Sequence, residues 1–243
     1  VKRRVACLTT LAMLVSAVPA QAQDSGQQRR DARGAMPFAS PGKVVAAEIA
    51  LAQLARRKGQ WKAFRETAAE GAVMFVPQPV DARQWLGNQP ESAAPMGWEP
   101  HAVFLSCDGS LAVASGPWRK ADGASGGFTT VWQRQKRGEY KWVMSQADDL
   151  AASLGAPDMI RSSVATCQRG ARKPVATPVT FPAGTRGGWS EDGTLSWEVR
   201  LAADCSRTLT VSLGRGAGKP MEPVLERRVA APAVPATCTA AAA

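Results

Sequence analysis

The sequence predicts an α+β protein in which the helices are segregated from an antiparallel sheet. Apolar residues recur at helical spacing just after residue 42, and four strand-like segments joined by hairpin turns follow residue 97. The first pattern is typical of an amphipathic helix and the second of a sheet meander. Helices and strands that occupy separate parts of the chain, without alternating, form the layered α+β class.

The helical part comes first. We predict a helix that begins near Gly42-Lys43 and ends at Gly59. Its apolar stripe consists of Val44, Ala47, Leu51, Leu54 and Ala55. A second short helix carries an apolar face over residues 61–68, and a strand follows at 72–76. Residues 80–86 predict a third short helix.

The antiparallel sheet follows the helices. The four strand-like segments are 98–107, 110–118, 127–135 and 139–147. Asp108-Gly109 and the segment 136–138 are hairpin signals, and a longer loop spans 119–126. Neighbouring segments joined in this way pair as an antiparallel meander.

The longer loop leads into the string Gly123-Ala124-Ser125-Gly126-Gly127, which has the G-x-S-x-G spacing of a serine-hydrolase nucleophile. In those enzymes the serine sits between a strand and a helix. Here the string joins two predicted strands, and the only histidine of the chain, His101, lies on another strand. The string therefore predicts a glycine-rich turn.

The C-terminal part predicts a small β-rich appendage at residues 156–230. Alternating segments at 193–202, 207–214 and 222–230 indicate three strands, which either extend the first sheet or form a layer of their own. The Ala/Pro-rich tail, residues 231–243, is expected to be disordered unless Cys238 holds it in place.

The N-terminal part predicts an exported protein. Three cations precede an apolar run at 5–18, and Ala20-Gln21-Ala22 follows as a small-residue cleavage site, so we interpret residues 1–22 as a signal peptide. The run is shorter than the ~20 residues that span a bilayer, so no membrane span is expected after cleavage. Residues 23–41 predict a flexible linker, and the location is periplasmic or secreted.

Four cysteines remain in the exported chain: Cys107, Cys167, Cys205 and Cys238. An even number in an exported protein predicts two disulfides, whose three connectivities the sequence leaves open. No C-x-x-C pair occurs and there is one histidine, so no metal site is expected, and no cofactor motif is present. The net charge of +10 comes from scattered cations without a basic stripe, which disfavours nucleic-acid binding.

Three segments resemble the nuclear transport factor 2-like (SnoaL-like) superfamily. They are AAEIALAQLARRKGQWKAFRETAAEGAVMFVP, SGPW and FTTVWQRQKRGEYKWV, and the resemblance covers about residues 42–150. It implies a cone-shaped domain over 42–155, in which helices pack on a curved antiparallel sheet around a pocket. The resemblance also implies a pocket carboxylate in catalytic relatives, at a position that Ser145 occupies here.

The resemblance and the many tryptophans together favour a non-catalytic domain that binds a small apolar or amphipathic ligand, or a protein partner, in or near the cone. The expected pocket residues are Phe64, Trp85, Trp98, His101, Trp118, Trp132 and Ser145. An alternative is a small isomerase, lyase or hydrolase that uses His101, Glu99 or Asp148 for acid–base chemistry. A third interpretation is a structural envelope protein that uses the cone to form a homodimer.

Overall fold

The structure of the chain is a computed structural model. It describes residues 39–91, 96–149, 155, 157–167, 184–234 and 236–238. Two helices come first in this part of the chain. The helices are α1 (Pro41–Lys58) and α2 (Gln60–Thr67), and a short α3 (Ala82–Gly87) follows the second strand. Pro41 stands in the first turn of α1, where its missing N–H is not needed. The helix ends at Gly59, whose φ of 99° favours glycine.

The main sheet has eight strands in the described residues. They are β1 (Ala68–Phe75), β2 (Pro79–Asp81), β3 (Gly97–Trp98), β4 (Ala102–Leu105), β5 (Leu111–Arg119), β6 (Ser125–Arg134), β7 (Tyr140–Asp149) and β8 (Arg161–Val164). The strand order is β2-β1-β7-β6-β5-β4-β8, and β3 pairs with β5. The predicted helices and meander are therefore present, and the chain is α+β.

The antiparallel pairing predicted for the meander is confirmed from β4 to β7, but the sheet as a whole is not antiparallel. β1 pairs with β7 in parallel, and β8 pairs with β4 in parallel, so the sheet is mixed. Hairpin signals fix only the pairing of strands that are consecutive in sequence. β1 and β8 reach their partners through long connections, about which such signals say nothing.

A second sheet of four strands forms a layer of its own. Its strands are β9 (Thr185–Trp189), β10 (Leu195–Leu201), β11 (Arg207–Gly214) and β12 (Met221–Val229), in the antiparallel order β12-β11-β10-β9. The three C-terminal strands that the sequence predicts are β10, β11 and β12. The glycine-rich segment that forms β9 gave no strand signal.

The main sheet lies between two apolar clusters. On one face, residues of α1 and α2 such as Leu51 and Phe64 pack against Trp132 and Trp142. On the other face, side chains of the main sheet such as Val131 join the four-stranded sheet in a single cluster. That cluster consists of Phe75, Phe104, Leu111, Val113, Val131, Met144, Ala165, Leu195, Trp197, Val199, Leu209, Val211 and Leu213. The C-terminal strands thus complete a three-layer arrangement.

Two turns of similar sequence join the two sheets. The β4–β5 turn reads SCDGS at 106–110, and the β9–β10 turn reads SEDGT at 190–194. The backbone N–H of Asp108 donates to Asp192 at 2.9 Å, and the N–H of Glu191 donates to the Ser110 hydroxyl at 2.9 Å. Reciprocal hydrogen bonds of this kind fix the position of one sheet on the other.

Both predicted disulfides form, with Cys107 bonded to Cys167 and Cys205 to Cys238. Cys238 is buried, and its backbone N–H donates to the carbonyl of Ala203 at 2.9 Å. The tail expected to be disordered is therefore held in place at this residue. Two disulfides fit a protein of the periplasm or the extracellular space.

The predicted signal peptide at 1–22 and most of the linker at 23–41 lie outside the described residues. All the described residues belong to one compact unit. Within these ranges, no helix is long and apolar enough to cross a membrane.

Candidate functional site

A cavity of about 240 Å³ lies between α2 and the helix-facing side of the main sheet. Ten of the fourteen residues that line it are apolar, and six of these are aromatic: Trp61, Phe64, Phe75, Trp98, Trp118 and Phe128. The four polar residues are Gln60, Thr130, Ser145 and Gln146. An apolar cavity with a few polar groups is the usual form of a small-molecule site.

Strand alternation places the polar groups of the cavity. On β6, Phe128 and Thr130 face the helices, whereas Thr129 and Val131 face the other layer. Thr130 lies directly opposite Ser145 of β7 in the strand register. The two hydroxyl groups are therefore neighbours on the sheet wall of the cavity.

The two amide side chains of the cavity are engaged in hydrogen bonds. The Oε1 atom of Gln60 accepts a hydrogen bond from the N–H of Met96 at 2.9 Å, and that of Gln146 accepts from the Arg207 guanidinium at 2.9 Å. Thr130 and Ser145 are 1% and 6% exposed, and both line the cavity.

A second cavity, of about 360 Å³, lies beside the first and shares five of its lining residues. It adds Lys120, Asp148 and Asp149 to the lining. The Lys120 ammonium stands 5.3 Å from the centre of the Trp118 ring, in a cation–π contact. Lys120 and Asp149 are exposed, so this second cavity links the aromatic walls to solvent.

A buried carboxylate of α1 supports the wall of the first cavity. Glu48 is 1% exposed, and its two oxygens accept hydrogen bonds of 2.8 Å from the indole N–H groups of Trp98 and Trp132. Burial raises the pKa of Glu48 to about 7, although the two indole donors act in the opposite direction. Glu48 thereby holds Trp98, which lines the cavity, against Trp132 of the sheet.

A buried arginine of the second sheet supports the opposite side of the cavity wall. The Arg207 guanidinium donates to the Gln146 side chain and, at 3.1 Å, to the carbonyl of Ala147. It also lies 5.4 Å from the centre of the Phe75 ring. Burial lowers the pKa of Arg207 to about 10, and the nearby Asp148 opposes this shift. The C-terminal sheet therefore holds the end of β7 that lines the cavity.

The structure brings together four of the seven predicted pocket residues. Phe64, Trp98, Trp118 and Ser145 line the first cavity. Trp85 packs edge-to-face on Trp61, with ring centres 5.6 Å apart, and is not part of the lining. Trp132 lies behind the wall, where its indole N–H donates a hydrogen bond to Glu48. His101 is also outside the lining.

The residues considered for acid–base chemistry do not form one constellation around the cavity. The His101 Nε2 atom lies 3.6 Å from the Glu99 Oε1 atom. The backbone N–H of His101 donates to the Ser115 carbonyl of β5. Asp148 accepts a hydrogen bond from the N–H of Gly127 at 3.1 Å. Burial raises the pKa of Asp148, whereas the nearby Arg227 lowers it.

The serine of the G-x-S-x-G string is a strand residue. Gly123 is in the β5–β6 turn with a φ of 91°, and Ser125 pairs with Arg119 at the beginning of β6. The residues described here contain no group of three or more histidine, cysteine or acidic side chains that could hold a metal ion.

The two buried ionisable residues that support the cavity, Glu48 and Arg207, were not predicted from the sequence. Glu48 interrupts the predicted apolar stripe of α1, and a glutamate at such a position is a signal that the buried face contains a polar partner. Arg207 begins an alternating strand, and nothing in its sequence context distinguishes it from an exposed arginine.

No protein-family profile matches the chain, and no curated protein sequence matches it. Solved structures similar to it include a ketosteroid isomerase-like protein from Parabacteroides distasonis, 14% identical, with a TM-score of 0.38, covering 48% of this chain and 98% of that one. Another is a protein assigned as an aromatic ring hydroxylase from Novosphingobium aromaticivorans, 16% identical, with a TM-score of 0.32, covering 45% and 90%. The CaMKII hub of S. rosetta is 17% identical, with a TM-score of 0.36, covering 46% and 98%.

Because these TM-scores are below 0.5, the likenesses carry no argument about function. The arrangement itself, α+β with few helices and a mixed eight-stranded sheet, is consistent with a nuclear transport factor 2-like fold.

Proposed function

We propose that this chain is an exported, non-catalytic binding protein that takes up a small, mainly apolar molecule in the cavity between α2 and the main sheet. In this proposal the helices and the sheet form a cone whose interior is the cavity. The observation that carries the proposal is the cavity itself, with its aromatic walls from Trp61, Trp98 and Trp118.

The size of the cavity limits the ligand. Its 240 Å³ exceed the roughly 150 Å³ of an apolar cavity that holds benzene, and fall below the roughly 300 Å³ at which pockets for drug-sized ligands begin. A planar molecule of one or two fused rings fits between these limits. Flat indole walls favour such a ligand, since aromatic rings attract one another in stacked or edge-to-face geometry.

The absence of an acidic side chain from the lining favours binding over acid–base catalysis. The four polar lining residues carry amides and hydroxyls, which neither gain nor lose a charge near neutral pH. Glu48 has the perturbed pKa of a catalytic acid, yet both of its oxygens are engaged by indole N–H groups behind the wall.

The test is calorimetric titration of the full exported chain with 2-naphthol, a two-ring probe of suitable size. We expect saturable one-to-one binding to the native protein. The Ser145→Leu variant fills the cavity with an apolar side chain, so we expect it to lose binding and to unfold at a higher temperature, because filling a cavity adds buried contacts.

The matched control is Ser196→Leu, the same substitution on β10 of the second sheet, outside the cavity. We expect this variant to bind 2-naphthol as the native chain does. Binding that survives Ser145→Leu in a folded protein would place the site elsewhere, and absence of any binding to the native chain would refute the proposed function.

A further inference from the structure

The sheet wall of the cavity carries a polar feature that an apolar ligand would leave unused. Thr130 and Ser145 lie side by side on β6 and β7, and the cavity that they line is where their hydroxyls can meet a ligand. A hydroxyl that lines an apolar cavity loses its hydrogen bond to water when a purely apolar ligand covers it, which costs free energy.

We propose that the hydroxyl pair of Thr130 and Ser145 selects ligands that carry an oxygen on a planar ring system, such as a phenol or an aromatic ketone. This inference rests on the proposed function, because it names the class of molecule that the same cavity takes. A hydroxyl group both donates and accepts, so the pair can satisfy either a phenol O–H or a carbonyl oxygen.

The rest of the lining explains why the hydroxyl pair sets the choice. The Gln60 and Gln146 side-chain oxygens are already engaged by Met96 and Arg207. The NH2 groups of these two side chains can only donate, whereas each hydroxyl can donate and accept, and the remaining lining residues are apolar. A hydroxyl-lined site rejects an analogue that lacks the matching group, since binding that analogue displaces water and leaves the site's polar groups unpaired.

The strand pairing fixes the backbone that carries the two hydroxyls. Thr130 is β-branched and stands in the middle of a ten-residue strand, between two strands that pair with it over most of their length. Ser145 also pairs with Met74 of β1 in parallel. A ligand oxygen would therefore meet preorganised partners, and little conformational entropy would be lost on binding.

The experiment compares two probes of the same shape, naphthalene and 2-naphthol, by calorimetric titration of the full chain. We expect 2-naphthol to bind about fivefold or more tightly than naphthalene. The double variant Thr130→Val/Ser145→Ala keeps the shape of the wall but removes both hydroxyls. We expect it to bind the two probes within about twofold of each other while retaining affinity for naphthalene.

The matched control is Thr129→Val, the neighbouring residue on the same strand, whose hydroxyl faces Ser115 on the other side of the sheet. This variant should keep the preference for 2-naphthol. Thermal unfolding of each variant shows whether it is folded. If the double variant destabilises the chain, the single Thr130→Val substitution, which has the same shape, gives the same comparison and should weaken the preference.

The inference and the proposed function fail in different ways. Equal affinity of the native chain for the two probes would overturn the inference and leave the binding function standing. A preference for 2-naphthol that survives loss of both hydroxyls would also overturn it, and would assign the oxygen to another part of the cavity. If neither probe binds to the native chain, the proposed function fails and the inference with it.

Discussion

At the scale of single residues, the buried Glu48 makes the stability of the protein depend on pH. Its pKa is about 7 in the folded chain and 4.5 as the ordinary value, because burial disfavours the charged form. The folded state therefore binds the Glu48 proton more tightly than the unfolded state does. The stability that this proton contributes is fully present below pH 4.5. It is lost as the pH rises through about 7, where the free energy of unfolding is lower by about 3 kcal/mol.

We expect the Glu48→Gln variant to lose most of this pH dependence. The amide keeps one oxygen for an indole N–H but turns an N–H toward the other indole, so the variant is also less stable at pH 5. Urea unfolding of both proteins at pH 5 and pH 8 measures the effect. An unchanged difference between the two pH values in the variant would show that another group, such as the half-buried Asp148, is responsible.

Glu48 also shows what the sequence reveals at this scale and what it does not. The helix and its apolar stripe follow from spacing alone, whereas the burial of Glu48 on the same face was not predicted. Its partners Trp98 and Trp132 lie 50 and 84 residues further along the chain, so their identity depends on how the strands pack on the helix. Strand packing also decides which tryptophans reach the cavity. Both Trp98 and Trp132 were predicted to line it, but only Trp98 does, and Trp132 lies behind the wall.

At the scale of elements, Arg207 is the contact through which β11 holds the cavity end of β7. Removing its guanidinium leaves the Gln146 side-chain oxygen and the Ala147 carbonyl without their donor and empties the space beside Phe75. We expect Arg207→Met to lower the free energy of unfolding by about 2–4 kcal/mol, since two acceptors lose their donor and Asp148 loses a nearby cation.

The matched control for this prediction is Arg200→Met on the neighbouring strand β10. The Arg200 side chain is 77% exposed and pairs with Glu198 at the surface, so we expect a change within about 0.5 kcal/mol. Urea unfolding at pH 7 compares the two variants with the native chain. Equal effects of the two substitutions would mean that Arg207 does not connect the sheets energetically.

The elements that the sequence predicted are those with local signals. Turns such as 106–110 and the alternation of β10 and β11 are encoded within about ten residues, and the structure contains them. β9 has two glycines among its five residues, and β8 is a four-residue edge strand, so neither shows a strand pattern. Both are strands because of what they pair with, which is a property of the whole fold.

At the scale of the whole molecule, the sequence suggested a main domain at 42–155 followed by an appendage at 156–230. In the structure, β8 belongs to the predicted appendage in sequence but extends the main sheet. The strands β10 to β12 share one apolar cluster with the main sheet. Which element packs against a given apolar face depends on segments that are far apart in sequence. Periodicity shows only that β5, β6, β10 and β11 each have such a face.

This shared cluster leads to a prediction for the unfolding of the whole molecule. Separating the sheets would expose buried side chains on both sides, such as Val131 of β6 and Leu209 of β11, so neither sheet is expected to open alone. We expect one thermal transition with equal calorimetric and van't Hoff enthalpies.

The Leu209→Ala substitution should lower the free energy of unfolding by about 2–5 kcal/mol and speed hydrogen exchange in β6 as much as in β11. Exchange that rises in β11 while β6 stays protected would show that the C-terminal sheet unfolds independently, and the cavity would then be a property of the main sheet and helices alone.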